Sequence, residues 1–513
     1  MIDEPNVILP LATSVNERGV AGYTHAVTNS EDQVKKNCFY ELSNNPMTGK
    51  GTLTLSKRPG VTVDSNTYGS LSSQVPYLII TYPTTSAFGP YSNLPKVFYK
   101  LGNDLRVSSD LADKTIFSSS AGASSYFPRF IDTTKISGVD NPVFQAQRID
   151  LAAPQQRTFY AASIANWTEI SDGDFTALFQ RGKMEHIDGF AFQMDKDNKI
   201  FNSDTNSLAN WTASSFITKG IQQDYAQGLA RFKNQLLAFG DETVEIFYNA
   251  GNTSGSPLGR VTQLTDHVGL VPTTFADGVG GGTHYYCATS NGMYFVGRRA
   301  GSVSSVGLFH YNGQSFEKVS TPYIDKILGE ETESIAGAYS YYSINEIGFS
   351  GQQGIAICLS APSATTQRSL VFFPDWKEWF IWTSDVFSPV NSSDFFLGSG
   401  AHPNKAYSFT HSDNWQDDGT SYQWLTQFQM PSNPGGKRML MYGVDADTDT
   451  SANTITVEVS DNDCASFYAL QSIDLTRDRK MNFRGGTYRK RHIRLSATDA
   501  RPKRIHNWLA RVE

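Results

Sequence analysis

The sequence predicts an all-β protein: a β-propeller of six or seven blades with an additional β-sandwich at its C-terminal end. Composition is the first observation, because the 513 residues include 42 glycines and 12% aromatic residues but only 18% charged residues. Aromatic side chains fit the half-buried surface of a sheet, and glycine supplies the backbone angles of tight turns. A recurring Asn-Trp-Thr triplet and a series of hairpin patterns are the other two observations.

The triplet occurs at Asn166–Thr168, after the run Phe159–Ala165, and again 44 residues later at Asn210–Thr212, after Ile200–Ser203 and Leu208–Ala209. A weaker relative is Trp379–Ser384. A repeat of about 40–45 residues with a tryptophan near a strand is typical of a four-stranded propeller blade. The predicted structural blade anchors are therefore Trp167, Trp211 and Trp382.

Hairpin patterns fill the middle of the chain, where two short apolar runs flank turn-forming residues. Pro322–Leu328 is the best candidate for a short helix. The predicted hairpins span residues 236–248, 283–296, 308–319 and 355–373.

Three segments are predicted: an N-terminal arm over 1–65, the propeller over 66–430, and a basic β-sandwich over 431–513. Pro431–Gly436 consists of turn formers and indicates the second boundary. After it, Thr454–Ser460 and His492–Ser496 alternate as strands do. The first 65 residues are too irregular for a blade, and we expect them to run along other parts of the protein.

Charge is distributed unevenly. Residues 477–513 carry twelve Lys or Arg against three acids, a balance of +9, whereas the preceding residues carry 31 basic against 47 acidic residues, a balance of −16. An acidic body argues against a simple nucleic-acid binder, which needs positive charge across its docking face. We predict that the basic cluster contacts an acidic partner protein or neighbouring subunit in preference to DNA. Its members are Arg489, Lys490, Arg491, Arg501, Lys503 and Arg504.

The four cysteines, Cys38, Cys287, Cys358 and Cys464, lie far apart without metal-site spacing, which favours reduced thiols in a protein folded in a cytoplasm. No apolar run approaches the about 18 residues that indicate a membrane span, and the first residues lack a secretory signal. We predict no membrane insertion.

No cofactor, metal or catalytic residue is predicted. The acidic stretches at Asp195–Lys199 and Asp445–Asp449 lack the glycine and the closing glutamate of a calcium loop. The glycine-rich Gly278–Gly282 precedes a strand, whereas a phosphate site needs a following helix. We interpret all three stretches as turns or loops.

Two alternatives remain. A sialidase-like glycosidase or glycan-binding propeller is the first, because Ser203–Trp211 is similar to the Ser-x-Asp-x-Gly-x-x-Trp turn of that class, although it lacks the glycine and the spacing of the aspartate. The second alternative is a monomeric scaffold that binds peptides.

Three patches resemble the tail nozzle (packaged-DNA stabilisation) proteins of short-tailed bacteriophages. The first is an Asn-rich opening at Asn37–Glu41 that leads to the turn Arg58, Pro59 and Gly60. The second, within residues 231–251, is a strand ending in Phe-Gly before a Glu-aromatic strand and a Gly-rich turn. The third is the basic strand pair at Arg489–Arg494 and Trp508–Glu513.

The resemblance implies a structural protein of the virion tail, assembled in the host bacterial cytoplasm. It implies a homo-oligomeric ring, typically of six copies, below the head–tail adaptor and portal assembly. Such a ring extends the channel for genomic double-stranded DNA, helps to retain the packaged DNA and directs its ejection. It also offers docking surfaces for tail fibres or spikes and for a tip plug or needle.

Overall fold

A computed structural model gives the architecture of the chain, which is dominated by strands. Two α-helices are present in the described residues, α1 (Gly173–Thr176) and α2 (Pro322–Ser334), with a 3₁₀ helix at Thr262–Leu264. The predicted all-β class and the short helix at 322–328 are confirmed. The structure describes residues 7–9, 34–44, 51–63, 76–81, 95–101, 104–109, 112–118, 126–136, 139–148, 156–163, 166–222, 224–271, 286–299, 306–334, 343–349, 351–359, 365–388, 395–398, 405–409, 414–429, 438–446, 453–462, 464–476, 480–483, 486–488 and 491–512.

The N-terminal segment supplies strands to sheets formed by distant parts of the chain. These strands are β1 (Val7–Leu9), β2 (Val34–Lys36), β3 (Cys38–Asn44), β4 (Gly51–Lys57) and β5 (Val61–Val63). Strands β1, β2, β4 and β5 pair with strands from later parts of the chain, and β3 pairs with β4. The N-terminal segment therefore runs along several other parts of the protein, as expected.

The middle of the chain folds into antiparallel sheets in sequence order, which we number 1 to 7. Sheet 1 contains β6 (Pro76–Thr81), β7 (Pro95–Leu101), β8 (Asp104–Ser109) and β9 (Ala112–Ser118); sheet 2 contains β10 (Tyr126–Ile136), β11 (Val139–Arg148), β12 (Gln156–Ser163) and β13 (Asn166–Glu169). Sheet 3 contains β14 (Gln180–Ile187), β15 (Phe190–Asp195), β16 (Lys199–Ser203) and β17 (Trp211–Thr218); sheet 4 contains β18 (Ala226–Phe232), β19 (Gln235–Gly240), β20 (Val244–Asn249) and β21 (Leu258–Arg260).

The remaining three sheets depart from this simple pattern. Sheet 5 contains β22 (Val268–Leu270), β23 (Tyr286–Ala288), β24 (Met293–Arg299), β25 (Val306–Tyr311) and β26 (Phe316–Lys318); sheet 6 contains β27 (Ser343–Phe349), β28 (Gln352–Cys358), β29 (Gln367–Phe373) and β30 (Glu378–Ser384). Sheet 7 contains β31 (Phe387–Ser388), β32 (Phe395–Gly398) and β33 (Ala406–Phe409), and β5 of the N-terminal segment completes it.

Each sheet contacts the next, and β32 of sheet 7 contacts β6 of sheet 1, which closes the series. The first strands β10, β14 and β18 of sheets 2 to 4 lie beside one another, as the inner strands of radially arranged sheets do. The number of blades stays a prediction, because sheet 6 continues beyond its fourth strand and sheet 7 depends on β5.

All four predicted hairpins are confirmed. The β19–β20 pair places Leu237 opposite Ile246, and the β23–β24 pair turns at Ser290–Gly292. The β25–β26 and β28–β29 pairs are the other two. Local turn chemistry is sufficient to fix such pairs, because the two strands are adjacent in sequence.

The C-terminal part forms two further layers. Strands β34 (Trp424–Gln429), β40 (His492–Ala497), β36 (Thr454–Ser460) and β37 (Tyr468–Asp474) extend sheet 6 into a nine-stranded sheet, and β2 joins β34 to β30. The second sheet has the order β3, β4, β41 (Arg504–Val512), β35 (Arg438–Ala446) and β38 (Lys480–Phe483); β1 pairs with β41, and β39 (Gly486–Thr487) pairs with β35.

One hydrophobic core joins sheets 6 and 7 to the C-terminal layers. It includes Phe373 and Trp382 of sheet 6, Tyr407 of sheet 7, and Val457 and Leu495 of the C-terminal layers. The boundaries at residues 65 and 430 and a separate sandwich over 431–513 stay predictions, since strands from all three segments share sheets. Within the described ranges, no helix is long and apolar enough to cross a bilayer.

Candidate functional site

The turn Arg58, Pro59 and Gly60 lies where the N-terminal segment passes from β4 to β5, and so from the C-terminal layers to sheet 7. We call its surroundings the junction: residues 57–60 together with Asn37, residues 382–387, residues 414–422, Asn453, Asp499 and Lys503. This turn is one of the three places that carry the resemblance, and it lies between layers. Arg58 and Gly60 are buried and Pro59 is half-buried.

All five N–H groups of the Arg58 guanidinium have acceptors. Two of them form a bidentate pair with Asp417, at 2.8 Å to Oδ1 and 2.6 Å to Oδ2. The others donate to Asn37 Oδ1 at 3.2 Å, to the Pro59 carbonyl at 3.1 Å and to the Thr383 carbonyl at 3.2 Å. One side chain therefore connects the N-terminal segment, sheet 6 and the turn that precedes β34.

Aromatic rings enclose the same guanidinium. Its Cζ lies 3.8 Å from the ring centroid of Tyr422, 5.1 Å from that of Phe387 and 5.9 Å from that of Trp382. Burial acts to lower the pKa of Arg58, but the adjacent Asp417 carboxylate outweighs it and holds the pKa above its ordinary value. Such a charge is stable only when paired and fully hydrogen-bonded, so this arginine has a structural role and no donor left for a ligand.

Gly60 allows the closest backbone approach in the junction. A Cβ placed on it would lie 2.0 Å from the Gln416 carbonyl oxygen. The Gly60 N–H donates to the Asn414 carbonyl at 2.9 Å. Any side chain would push the two segments apart, which explains the glycine in the Arg-Pro-Gly turn.

A second group of charges adjoins Arg58. Lys57 Nζ donates to the Asp499 carbonyl oxygen at 2.6 Å and lies 4.3 Å from the centroid of the Tyr422 ring. Lys503 Nζ contacts both carboxylate oxygens of Asp499, at 2.7 and 2.9 Å, and also bonds Asn453. Burial, reinforced by the ammonium of Lys503, lowers the pKa of Lys57 to about 7, although Asp499 opposes the shift.

The three tryptophans predicted as anchors all lie on the fourth strands of their sheets: Trp167 on β13, Trp211 on β17 and Trp382 on β30. Trp211 is 6% exposed and Trp382 is 2% exposed, whereas Trp167 is half-buried. Trp211 packs on Phe175 of α1, with ring centroids 4.6 Å apart, and its Nε1 donates to the Leu208 carbonyl at 2.9 Å. Trp382 Nε1 donates to the Cys38 carbonyl and so ties sheet 6 to β3.

Residues 203–211, the stretch with a glycosidase-like pattern, form the turn between β16 and β17. The Asp204 N–H donates to the Asn210 carbonyl at 2.9 Å, which closes the turn. Ser203 Oγ accepts from the Ala191 N–H at 3.0 Å. These bonds give the stretch a structural role within sheet 3.

The basic cluster is dispersed in the fold. Arg491 is buried in a bidentate pair with Asp461, with two contacts of 2.6 Å, and Lys503 is buried in the junction. Arg501 is exposed, and Arg504 is exposed beside Glu41, 3.4 Å away. Arg489 and Lys490 lie outside the described residues. Of the described members, Arg501 and Arg504 are the two that an external partner can reach.

The other sequence features also have definite positions. The stretch at 195–199 is the turn between β15 and β16, whereas residues 447–449 and 278–282 lie outside the described residues. All four cysteines are free thiols; Cys38 and Cys358 are buried, and Cys287 and Cys464 are half-buried. Among the residues that the structure describes, no group of three or more His, Cys, Asp or Glu is placed to hold a metal ion.

Sequence reasoning missed the partners of Arg58. Asp417 and Tyr422 lie in a stretch, Asn414–Tyr422, that has neither hydrophobic periodicity nor a recognised motif. The available signal was indirect: an arginine inside an apolar strand-and-turn segment needs a carboxylate partner if it is buried. Nothing in the sequence indicates which of the 50 acids that partner is.

Comparison with known proteins identifies one family. Residues 132–369, from sheet 2 into sheet 6, match a family model of phage-stabilisation proteins described as "Bacteriophage P22 Gp10, beta-propeller". Among curated proteins, none matches the chain.

Solved structures give only remote likenesses. One is a chain of the mitotic checkpoint complex, with a TM-score of 0.36, 9% identity, and coverage of 69% of this chain and 95% of that one. Another is an exo-β-1,3-galactanase of Phanerochaete chrysosporium, with a TM-score of 0.28, 11% identity, and coverage of 88% and 100%. A third is YCF48 of Cyanidioschyzon merolae, with a TM-score of 0.35, 10% identity, and coverage of 66% and 95%. At such TM-scores these likenesses carry no argument.

Proposed function

We propose that the chain is a structural, DNA-stabilising protein of a phage tail and that identical copies of it form a nozzle ring, because residues 132–369 match the phage-stabilisation propeller family. The ring, of six copies, lies below the head–tail adaptor and portal assembly, extends the DNA channel, helps to retain the packaged genome and directs its ejection. The family match is the observation that carries this proposal.

Two physical features support it. The continuous core between sheets 6 and 7 and the C-terminal layers, together with the buried junction, makes these layers one mechanical unit, as a pressurised conduit requires. Residues 1–476 carry a net charge of −16, and acids that face a channel repel phosphate at short range, so that DNA passes without binding tightly.

The further partners follow from the position in the tail. Tail fibres or spikes bind the outside of the ring, a plug or needle closes its tip, and double-stranded DNA occupies its lumen. Arg501 and Arg504, exposed on the C-terminal layers, contact an acidic neighbouring subunit in this proposal. The copies fold and assemble in the host cytoplasm before they join the virion.

Negative-stain microscopy of the purified protein, with and without adaptor rings, tests the proposal. We expect closed rings, or rings that form on the adaptor. A protein that stays monomeric and ignores adaptor rings contradicts the tail ring and favours the scaffold alternative.

The glycan alternative has a separate test. Incubation with sialylated and bacterial surface glycans should give neither turnover nor binding above the level of a control protein. Measurable hydrolysis would replace the structural assignment with a glycosidase, and tight binding without turnover would indicate a glycan-binding propeller.

A further inference from the structure

The connector between β17 and β18, described at residues 219–222 and 224–225, presents two apolar side chains to solvent. Tyr225 is 78% exposed and Ile221 is 46% exposed. Within the described ranges, two other large hydrophobic residues are exposed, Tyr248 and Tyr468. Two of these four exposed residues lie in one short connector. Such clustering indicates a recognition surface and not the scattered exposure that is normal for single hydrophobic residues.

A buried ion pair between Lys219 and Asp224 fixes the two ends of this connector to each other. Lys219 and Asp224 side chains are 0% and 1% exposed and pair directly. Lys219 Nζ also contacts Thr243 Oγ1 at 2.9 Å, and the second Asp224 oxygen accepts from Thr243 N at 2.9 Å and Thr243 Oγ1 at 2.8 Å. A Cβ on Gly240 would lie 1.9 Å from this carboxylate, so the glycine leaves the space that the carboxylate fills.

The connector backbone is bonded at both exposed residues. Ile221 N–H donates to Glu245 Oε1 at 2.7 Å, and Tyr225 N–H donates to Asp241 Oδ1 at 2.9 Å. In addition, the Asn198 side chain donates to the Asp224 carbonyl at 2.6 Å. A connector whose backbone is fixed in this way loses little backbone entropy on binding, which favours the use of its exposed side chains as anchors.

The rim of the connector carries unpaired acids. Asp197 is exposed and Glu242 contacts Gln222, and within the described part of the chain neither carboxylate forms an ion pair. By contrast, Asp241 pairs with Arg298. Two cations lie nearby: the exposed Lys196, 5.6 Å from the centroid of the Phe179 ring, and the half-buried Arg260, which pairs with Glu245 at 2.9 Å. A partner that fits this rim offers positive charge around an aromatic or apolar surface.

This chain carries such a surface at another place. Arg501 and Arg504 are exposed on the C-terminal layers, and Arg504 lies 5.9 Å from the centroid of the half-buried Trp415 ring. Guanidinium groups stack on tyrosine and pair with carboxylates, and Tyr, Trp and Arg dominate the energetics of protein interfaces.

The two surfaces lie on different parts of the chain, one between sheets 3 and 4 and the other on the C-terminal layers. Different, complementary patches on one chain give a head-to-tail contact, which closes into a ring when the rotation permits. We propose that the Ile221–Tyr225 connector of one copy docks on the Arg504–Trp415 surface of the next. This inference rests on the proposed ring and assigns its subunit contact.

The first experiment measures assembly by mass photometry and sedimentation. We expect Ile221→Ser combined with Tyr225→Ser, and separately Arg501→Glu combined with Arg504→Glu, to weaken ring formation by about tenfold or more. The matched control is Tyr248→Ser, which removes a tyrosine of 45% exposure from sheet 4 and should leave assembly unchanged. Rings that form equally well from wild type and both variants overturn this inference alone. A wild type that forms no ring overturns the proposed function and this contact with it.

A second measurement does not depend on the stability of the variants. A photo-crosslinking amino acid at position 225, in an otherwise unchanged chain, should join it to a peptide that contains residue 415 or 504 of another copy. Cross-links between copies at other segments, or cross-links only within one copy, overturn the assignment.

Discussion

Arg58 and Asp417 are 359 residues apart in sequence, and their side chains form two parallel hydrogen bonds of 2.8 and 2.6 Å inside the protein. Asp417 also accepts from Ser384 Oγ at 2.8 Å, so the same carboxylate bonds the end of β30. The pair therefore links the N-terminal segment, sheet 6 and the entry to β34. Loss of the Arg58–Asp417 pair should therefore destabilise all three of these parts.

We expect Asp417→Ala to destabilise the protein by about 3–5 kcal/mol, because it leaves the Arg58 charge buried without a partner. Chemical denaturation with a probe in the C-terminal layers measures the loss. Lys405→Ala is the control, since Lys405 pairs with Asp418 at 3.0 Å, where both side chains are partly exposed, and its loss should cost less than about 1 kcal/mol. Equal effects of the two substitutions would contradict a special role for the buried pair.

Gly60→Ala tests the close approach in the same junction. The added methyl would lie 2.0 Å from a backbone oxygen of Gln416, and overpacking of this kind costs about 1–3 kcal/mol or more. Gly329→Ala in α2 is the control, because a Cβ there meets nothing within 4 Å and alanine favours a helix. The midpoint temperature of thermal unfolding should fall for Gly60→Ala and should stay the same or rise for Gly329→Ala.

Lys57 should make stability depend on pH near neutrality. Its pKa in the folded protein is about 7, below the ordinary value of 10.5, so the folded state binds fewer protons than the unfolded state between these values. The free energy of unfolding should therefore rise with pH from about 7 upward, by at most about 1.4 kcal/mol per pH unit for this proton, and be lower below pH 7.

The comparison that isolates Lys57 is the slope of stability against pH between 7 and 9. Lys57→Met should reduce that slope by the contribution of about one proton. Lys196→Met, at an exposed position, should leave the slope unchanged. An unaltered slope in Lys57→Met would mean that the lysine stays protonated in the fold, held by the Asp499 carbonyl and the Tyr422 ring.

The sequence predicts the local parts of this fold well and the long-range parts poorly. The β19–β20 hairpin and α2 follow from residues within one short window, where turn chemistry and periodicity act directly. The course of β2, β4 and β5 does not, because each of these strands pairs with a segment that is hundreds of residues away and any apolar strand is compatible with many neighbours. For the same reason Arg58 was recognised by resemblance while Asp417 was not.

The paired Asn-Trp-Thr triplets show the same limit on a smaller scale. Identical triplets predict equivalent tryptophans, and both lie on fourth strands. However, Trp211 meets Phe175 of α1, while Trp167 is only half-buried. The difference arises from α1, which precedes sheet 3 and supplies the partner of Trp211. The triplet itself does not encode this helix.

Trp211→Ala should consequently destabilise more than Trp167→Ala. Loss of a buried tryptophan costs about 3–5 kcal/mol, whereas a half-buried ring removes less apolar area from water and should cost about 1–2 kcal/mol. Unfolding followed by circular dichroism measures which substitution costs more stability. Trp211→Phe is a milder variant, because it retains a ring against Phe175. If Trp167→Ala proves as costly as Trp211→Ala, contacts between neighbouring copies bury Trp167 in the assembled ring, and the same measurement at concentrations below ring formation should then restore the predicted difference.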